Sequence, residues 1–245
     1  MKRLFACLVL MLSTLNLMAQ DVECQTYHYA TTEGQELMLD IYSLSSECSE
    51  PRPCMIFAFG GGFVMGERNH EYYARYFDTL AKAGIVVASI DYRWIANGDG
   101  DKTPNTMNKL IEDCYGAILH IQEHAAEYGM DPKRLAVTGD SAGGHLSSSM
   151  ANMIERVGDG GWGVKPGVYE YLPTYMPKGM TAKKAQKSLL AIKAAAPSYG
   201  VFDQGSLQRF ANGLDEEGKK AIAPNDNIPS VKNRAIPQYL VLGTL

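Results

Sequence analysis

The feature that most constrains the fold is a rhythm in the apolar residues. Strand-length apolar runs alternate with segments of helical period. Pro53–Phe59 and Ile85–Ile90 are short, apolar runs, the second rich in β-branched residues, which marks strands buried on both faces. Between them Glu71–Lys82 reads as a helix ending at Gly84. Asn105–Tyr128 follows as a long helix, with Met107, Leu110, Ile111, Cys114, Ile118, Ile121 and Ala125 on one stripe and Gly129 as its stop. Leu135–Thr138 reads as a short strand, Ala142–Glu155 as a helix, and Leu189–Pro197 and Gln238–Leu242 as further strands. Strands separated by helices pair in parallel, and the crossovers cover both faces. Ahead of this region, Val22–Ala30 and Gln35–Tyr42 alternate polar and apolar residues around Thr31-Thr32-Glu33-Gly34, the pattern of an antiparallel hairpin. The expected fold is therefore α/β: a mostly parallel sheet with an N-terminal antiparallel hairpin and helices on both faces. A chain of 245 residues suffices for one such domain. Residues 156–187 break the alternation. They are rich in glycine and proline and carry Trp162, Tyr169, Tyr171 and Tyr175, so we read them as an insertion, a cap over a pocket in preference to a surface loop.

The N-terminus reads as a targeting segment. Lys2 and Arg3 precede the apolar run Leu4–Leu12, which is too short to span a bilayer, and Leu17-Met18-Ala19 closes it on a small residue. Residues 1–19 are thus expected to be a signal peptide cut near Ala19-Gln20, giving an exported, periplasmic or extracellular protein with no membrane span after cleavage. The net charge is −4, and loss of Lys2 and Arg3 makes it more negative. No basic stripe is present, which argues against a nucleic-acid partner. Lys183, Lys184 and Lys187 read as one solvated helix face. Cys24, Cys48, Cys54 and Cys114 lack CxxC spacing, so no zinc cage is expected. Cys24 and Cys48 flank the hairpin and are placed to pair after export, whereas Cys54 and Cys114 read as core thiols.

The chemistry is concentrated in two motifs. Gly139-Asp140-Ser141-Ala142-Gly143 is a G-x-S-x-G placed where a strand turns into a helix. A serine nucleophile must project from a tight turn, and small residues two before and two after let strand and helix approach. The helix start behind Ser141 offers N–H groups and a positive dipole end to a developing oxyanion. The second motif, Phe59-Gly60-Gly61-Gly62-Phe63, follows the strand at Pro53–Phe59. Consecutive glycines let the backbone bend so that N–H groups converge on one oxygen. A phosphate-cradling P-loop is excluded because no Gly-Lys-Ser/Thr follows.

Together with Asp91-Tyr92-Arg93 after the next strand, these motifs resemble the α/β-hydrolase superfamily. The similarity is to its carboxylesterase branch like hormone-sensitive lipase, which includes bacterial esterases acting on acylated sugars. It extends over residues 35–245. The resemblance implies Ser141 as nucleophile, Gly61, Gly62 and Ala142 as oxyanion donors, and Asp91-Tyr92-Arg93 as a support for the glycine loop. It implies no cofactor, and a small-molecule or saccharide-linked ester as substrate. Phe59 departs from the family, which usually has histidine before the glycines. An amidase or formamidase of the same superfamily, or a non-catalytic binding protein on the same fold, are the alternatives.

A serine hydrolase also needs a base and an acid, in the chain order serine, acid, histidine. The only histidine after Ser141 is His145, one helical turn on and expected to point away from the Ser141 hydroxyl. His70 follows the glycine loop and is expected to contact substrate at the pocket mouth. His28 falls on the hairpin. His120 and His124 have zinc-compatible spacing, but without an evident third ligand they read as a solvated pair. Asp203 reads as a helix cap ahead of Ser206, and Asp140 as structural. Ile236–Leu245 resembles the family strand that delivers the acid after a Gly-Thr pair, yet Gly243-Thr244 is followed by Leu245. Neither triad acid nor base is assigned in this chain. The expectation is an incomplete hydrolase domain over 20–245, its last strand and helix missing, with very weak turnover or none.

Overall fold

The computed structural model describes residues 21–45, 50–96, 103, 105–163, 169–229 and 236–242. The expected signal peptide, Cys48 and Gly243-Thr244-Leu245 lie outside them. Strands β1 (Val22–Thr32) and β2 (Gln35–Leu44) form the hairpin. Its two turn residues, Glu33 and Gly34, have φ of 50° and 81°, the double left-handed turn that matches strand twist. β3 (Arg52–Ala58), β4 (Val86–Ile90), β5 (Met130–Asp140) and β6 (Ile192–Ser198) complete a sheet of order β1-β2-β4-β3-β5-β6. β2 meets β4 antiparallel, and β4, β3, β5 and β6 are mutually parallel, as the alternation requires. Residues 236–242 run parallel beside β6 through bridges at Ala195–Gln238 and Ser198–Val241. Tyr239 and Leu242 on this outer strand are 72 % and 67 % exposed.

The helices are α1 (Glu71–Lys82), α2 (Met107–Glu123), α3 (Ala142–Asn152) and α4 (Ala182–Leu189), followed by shorter turns. The pleat sorts side chains between two layers. On one face Tyr42 and Phe57 meet Phe77 of α1, with ring centroids 4.8 and 5.0 Å apart. On the other, Tyr27 packs on Tyr128 just past α2, and α2 joins α3 through the Tyr115 hydroxyl, which donates to the Ser149 carbonyl at 2.9 Å.

Several boundaries differ from expectation. The long helix starts at Met107 and ends at Glu123, and α3 ends at Asn152. β5 extends from Met130, longer than the apolar core of its sequence. Leu189 belongs to α4, not to the next strand; Thr181 caps that helix, accepting from the Lys184 N–H, and the strand begins at Ile192. Residues 182–189 have Ala185 and Leu189 on a buried side and Lys183, Lys184 and Lys187 outside. The described part of 156–187 lies against α2. Tyr171 is fully buried beside Tyr115, and a Cβ on Gly116 would stand 2.6 Å from the Tyr175 backbone nitrogen, so only glycine admits this approach. No disulfide joins Cys24, Cys54 and Cys114.

Candidate active site

Ser141 occupies the turn between β5 and α3 with φ 51° and ψ −112°, a region that disfavours any side chain. Its N–H donates to the Ser198 carbonyl at 2.9 Å, which pins the turn to the end of β6. The flanking glycines have a steric cause. A Cβ on Gly143 would lie 1.9 Å from the Ala58 carbonyl oxygen, and one on Gly139 would lie 2.4 Å from it. The first turn of α3 therefore sits directly on the end of β3, which brings the glycine loop beside Ser141.

That loop is held from three sides. Gly61 has φ 134°, and a Cβ there would lie 2.0 Å from the Met65 carbonyl. Its own carbonyl accepts the Val64 and Met65 amides, both at 3.2 Å. Phe59 stacks on Tyr92 at 4.3 Å, and the Tyr92 hydroxyl donates to the Phe59 carbonyl at 2.6 Å. The Ile95 amide donates to the Phe63 carbonyl at 3.0 Å. The segment from Asp91 thus braces the loop as the resemblance implied, with Phe59 filling by ring stacking the place where histidine is usual. Arg93 anchors the brace. Its guanidinium meets the buried Asp113 on α2 at 2.8 and 2.9 Å and Glu33 of the hairpin turn at 3.3 Å. Among the described residues, nothing accepts from the backbone N–H groups of Gly61, Gly62 or Ala142.

Asp140 is more than a spacer. Its Oδ1 accepts the Gly60 N–H at 2.8 Å and the Tyr73 hydroxyl at 2.9 Å, and the Tyr199 hydroxyl lies 3.4 Å from Oδ2. The carboxylate joins the turn, the glycine loop, α1 and the end of β6. Two hollows lie near it; Asp140 borders the second, and Ser141 borders neither. One, about 470 Å³, is bordered by Gly60, Gly61, Met65, His70, Tyr72 and Tyr73. The other, about 690 Å³, is bordered by Tyr73, Gly139, Asp140, Ser198, Tyr199 and Tyr239. No described residue of 156–187 lines either.

The histidines separate cleanly. His145 is fully buried. Its Nδ1 lies 2.7 Å from the Val201 carbonyl and its Nε2 3.3 Å from the Ser149 hydroxyl, so both nitrogens are engaged away from the turn. Burial pushes its pKa down to about 4. His70 caps α1, its Nδ1 accepting the Tyr72 amide at 3.2 Å, and its exposed ring borders the first hollow. His120 is not solvated: it is 6 % exposed, 4.3 Å from His124 and 4.9 Å from Tyr175, and burial lowers its pKa to about 4. Among the described residues no cluster of His, Cys, Asp or Glu is arranged to hold a metal ion. Asp203 caps a short helix, accepting the Ser206 amide at 3.0 Å and the Ser206 hydroxyl at 2.7 Å. Tyr73 and Tyr199 were invisible to motif reading, because neither lies in a fixed sequence relation to Ser141.

A mostly parallel sheet, a serine at a strained strand-to-helix turn and a braced glycine loop are the architecture of an α/β-hydrolase fold. The chain belongs to the BD-FAE family, whose model matches residues 39–236. It is 29 % identical over 147 residues to Lipase 2 of Moraxella sp., a match covering 58 % of this chain and 32 % of that protein. It is 37 % identical over 107 residues to carboxylesterase NlhH of Mycobacterium tuberculosis, covering 43 % of this chain and 31 % of that one. The matches thus span about a third of the length of these relatives. The structure of Thermogutta terrifontis esterase 2 phosphorylated by paraoxon superposes with a TM-score of 0.64 at 20 % identity, over 90 % of this chain and 82 % of that one. This shows the shared fold. Among the described residues no helix is long and apolar enough to cross a membrane.

Proposed function

We propose that the protein cleaves carboxylic esters through an acyl-enzyme on Ser141. The observation that carries this reading is the strained serine on a turn bonded through Asp140 to a loop whose amides, with that of Ala142, are without protein acceptors among the described residues. Ser141 Oγ attacks the ester carbonyl, and Gly61, Gly62 and Ala142 donate to the oxygen that becomes negative. The tetrahedral intermediate collapses, the alcohol leaves, and water releases the acid. His70, at the rim of the first hollow, contacts the substrate. The exposed tyrosines at both hollows favour a saccharide-linked ester, since rings with hydroxyls offer an apolar face and a hydrogen-bonding edge together. No cofactor is required by this chemistry.

Within these 245 residues Ser141 has no assigned base. His145 has both ring nitrogens engaged elsewhere and lies one helical turn beyond it. We therefore expect this chain to acylate and turn over slowly, with acceleration limited to binding and the amide donors. The test is incubation with 4-nitrophenyl acetate and mass spectrometry of the acylated peptide. Acetyl on Ser141, lost in Ser141→Ala, supports the reading. Acetyl spread over lysines and absent from Ser141 rejects it. Rapid turnover, as in a complete esterase, rejects the absence of a base. Export is part of the same reading, with the mature chain beginning at Gln20.

A further inference from the structure

We propose that Tyr73 is a positioning residue that locks the glycine loop to the nucleophile turn through Asp140. The inference rests on Ser141 being the nucleophile, but its geometry is independent of that role. The Tyr73 hydroxyl donates to Asp140 Oδ1 at 2.9 Å. The same Oδ1 accepts the Gly60 N–H at 2.8 Å, and that N–H is also 3.3 Å from the Tyr73 oxygen. Three elements close one triangle. Asp140 immediately precedes Ser141, and Gly60 immediately precedes Gly61. A shift at this triangle therefore moves the attacking oxygen relative to the amide that receives the charge.

The hydroxyl has no packing task. The ring of Tyr73 is held by Phe57 at 4.6 Å and Phe77 at 5.8 Å, contacts that phenylalanine would keep. Burial beside the Asp140 charge raises the phenol pKa well above its ordinary value, so the group stays a donor across the working range. Without it, among the described residues Asp140 Oδ1 keeps the Gly60 amide and Oδ2 the long contact with Tyr199, a weaker hold on the carboxylate. A hydrogen bond to a charged acceptor is the kind whose loss is felt in full when the acceptor stays behind.

The test uses two readouts on the whole chain. The first is phosphorylation by diethyl 4-nitrophenyl phosphate. Ser141 Oγ forms the bond to phosphorus, 4-nitrophenolate leaves with the electron pair, and the serine proton passes to water. Tyr73→Phe is expected to slow the step at saturating reagent about tenfold to a hundredfold. The half-saturating concentration should not change, and no further slowing should appear when Asp140→Asn is already present. The second readout is hydrogen exchange at the Gly60 amide, expected to speed up about tenfold in Tyr73→Phe beyond any change seen at amides of the sheet core. Unchanged exchange at Gly60 overturns the inference. Equal slowing by Tyr73→Phe with and without Asp140→Asn also overturns it, because Tyr73 would then act by another route. If wild-type Ser141 fails to react, exchange at Gly60 alone decides the role of Tyr73.

Discussion

Replacing Glu112 by glutamine should stabilise the protein at alkaline pH and leave it unchanged at acid pH. Glu112 lies on α2, 9 % exposed, with Oε1 accepting the Leu172 N–H at 3.0 Å. Burial raises its pKa from an ordinary 4.5 to about 7, an effect that the Leu172 amide and the nearby Arg93 only partly offset. Since the folded state holds this proton more tightly than the unfolded chain, stability from Glu112 is complete below pH 4.5 and is lost as pH rises through 7. A shift of this size corresponds to about 3 kcal/mol. Glutamine keeps the shape and the acceptor for Leu172 but cannot ionise. His120 and His145 have pKa values lowered to about 4, so their contributions run the other way and grow as pH rises toward 6.5. The wild-type profile alone therefore mixes opposing slopes, and the difference between variant and wild type isolates Glu112. Urea unfolding from pH 4 to 8, followed by tryptophan fluorescence, measures it. Trp162 stacks 5.1 Å from Tyr171, next to Leu172, so the probe reports on the segment that Glu112 holds. The difference in unfolding free energy should open from near zero to about 3 kcal/mol. A difference that is constant with pH would refute the reasoning.

Gly143→Ala should cost about 3 kcal/mol or more, read as a fall in denaturation midpoint, because its Cβ would meet the Ala58 carbonyl. Gly84, at φ 81° with open space around it, should lose only about 1 kcal/mol on the same change. His145→Gln should flatten the acid limb of the stability profile between pH 6.5 and 4 while changing the Ser141 acylation rate little; a large rate loss at unchanged stability would make His145 catalytic.

The strained turn at Ser141 and the glycine loop were legible because each is a fixed spacing within a few consecutive residues. The parallel order followed from apolar runs separated by helical periods. Tyr73 was not legible, since it reaches Asp140 from a helix 67 positions away. His120 was misplaced for a related reason. Its helix is covered on a second side by Tyr29 and Tyr175, and a single apolar stripe does not register a neighbour that covers with rings and hydroxyls. The end of α4 was misread because Leu189-Leu190-Ala191-Ile192 suits a strand and a helix end equally, and only the cap at Thr181 with the buried side at Ala185 and Leu189 decides.

The backbone of Ser141 has a consequence for how such a chain changes over time. At φ 51°, glycine would relieve strain of about 1–3 kcal/mol, so Ser141→Gly is expected to make a more robust fold. Drift toward durability alone thus runs against the hydroxyl. A chain that has lost its chemistry and is kept only as a scaffold should lose this serine early, before the glycines at 139 and 143 that the packing of α3 on β3 protects. Position 141 then serves as a clock: the order in which variants of this fold give up serine and glycine separates those that retired from catalysis from those still at work.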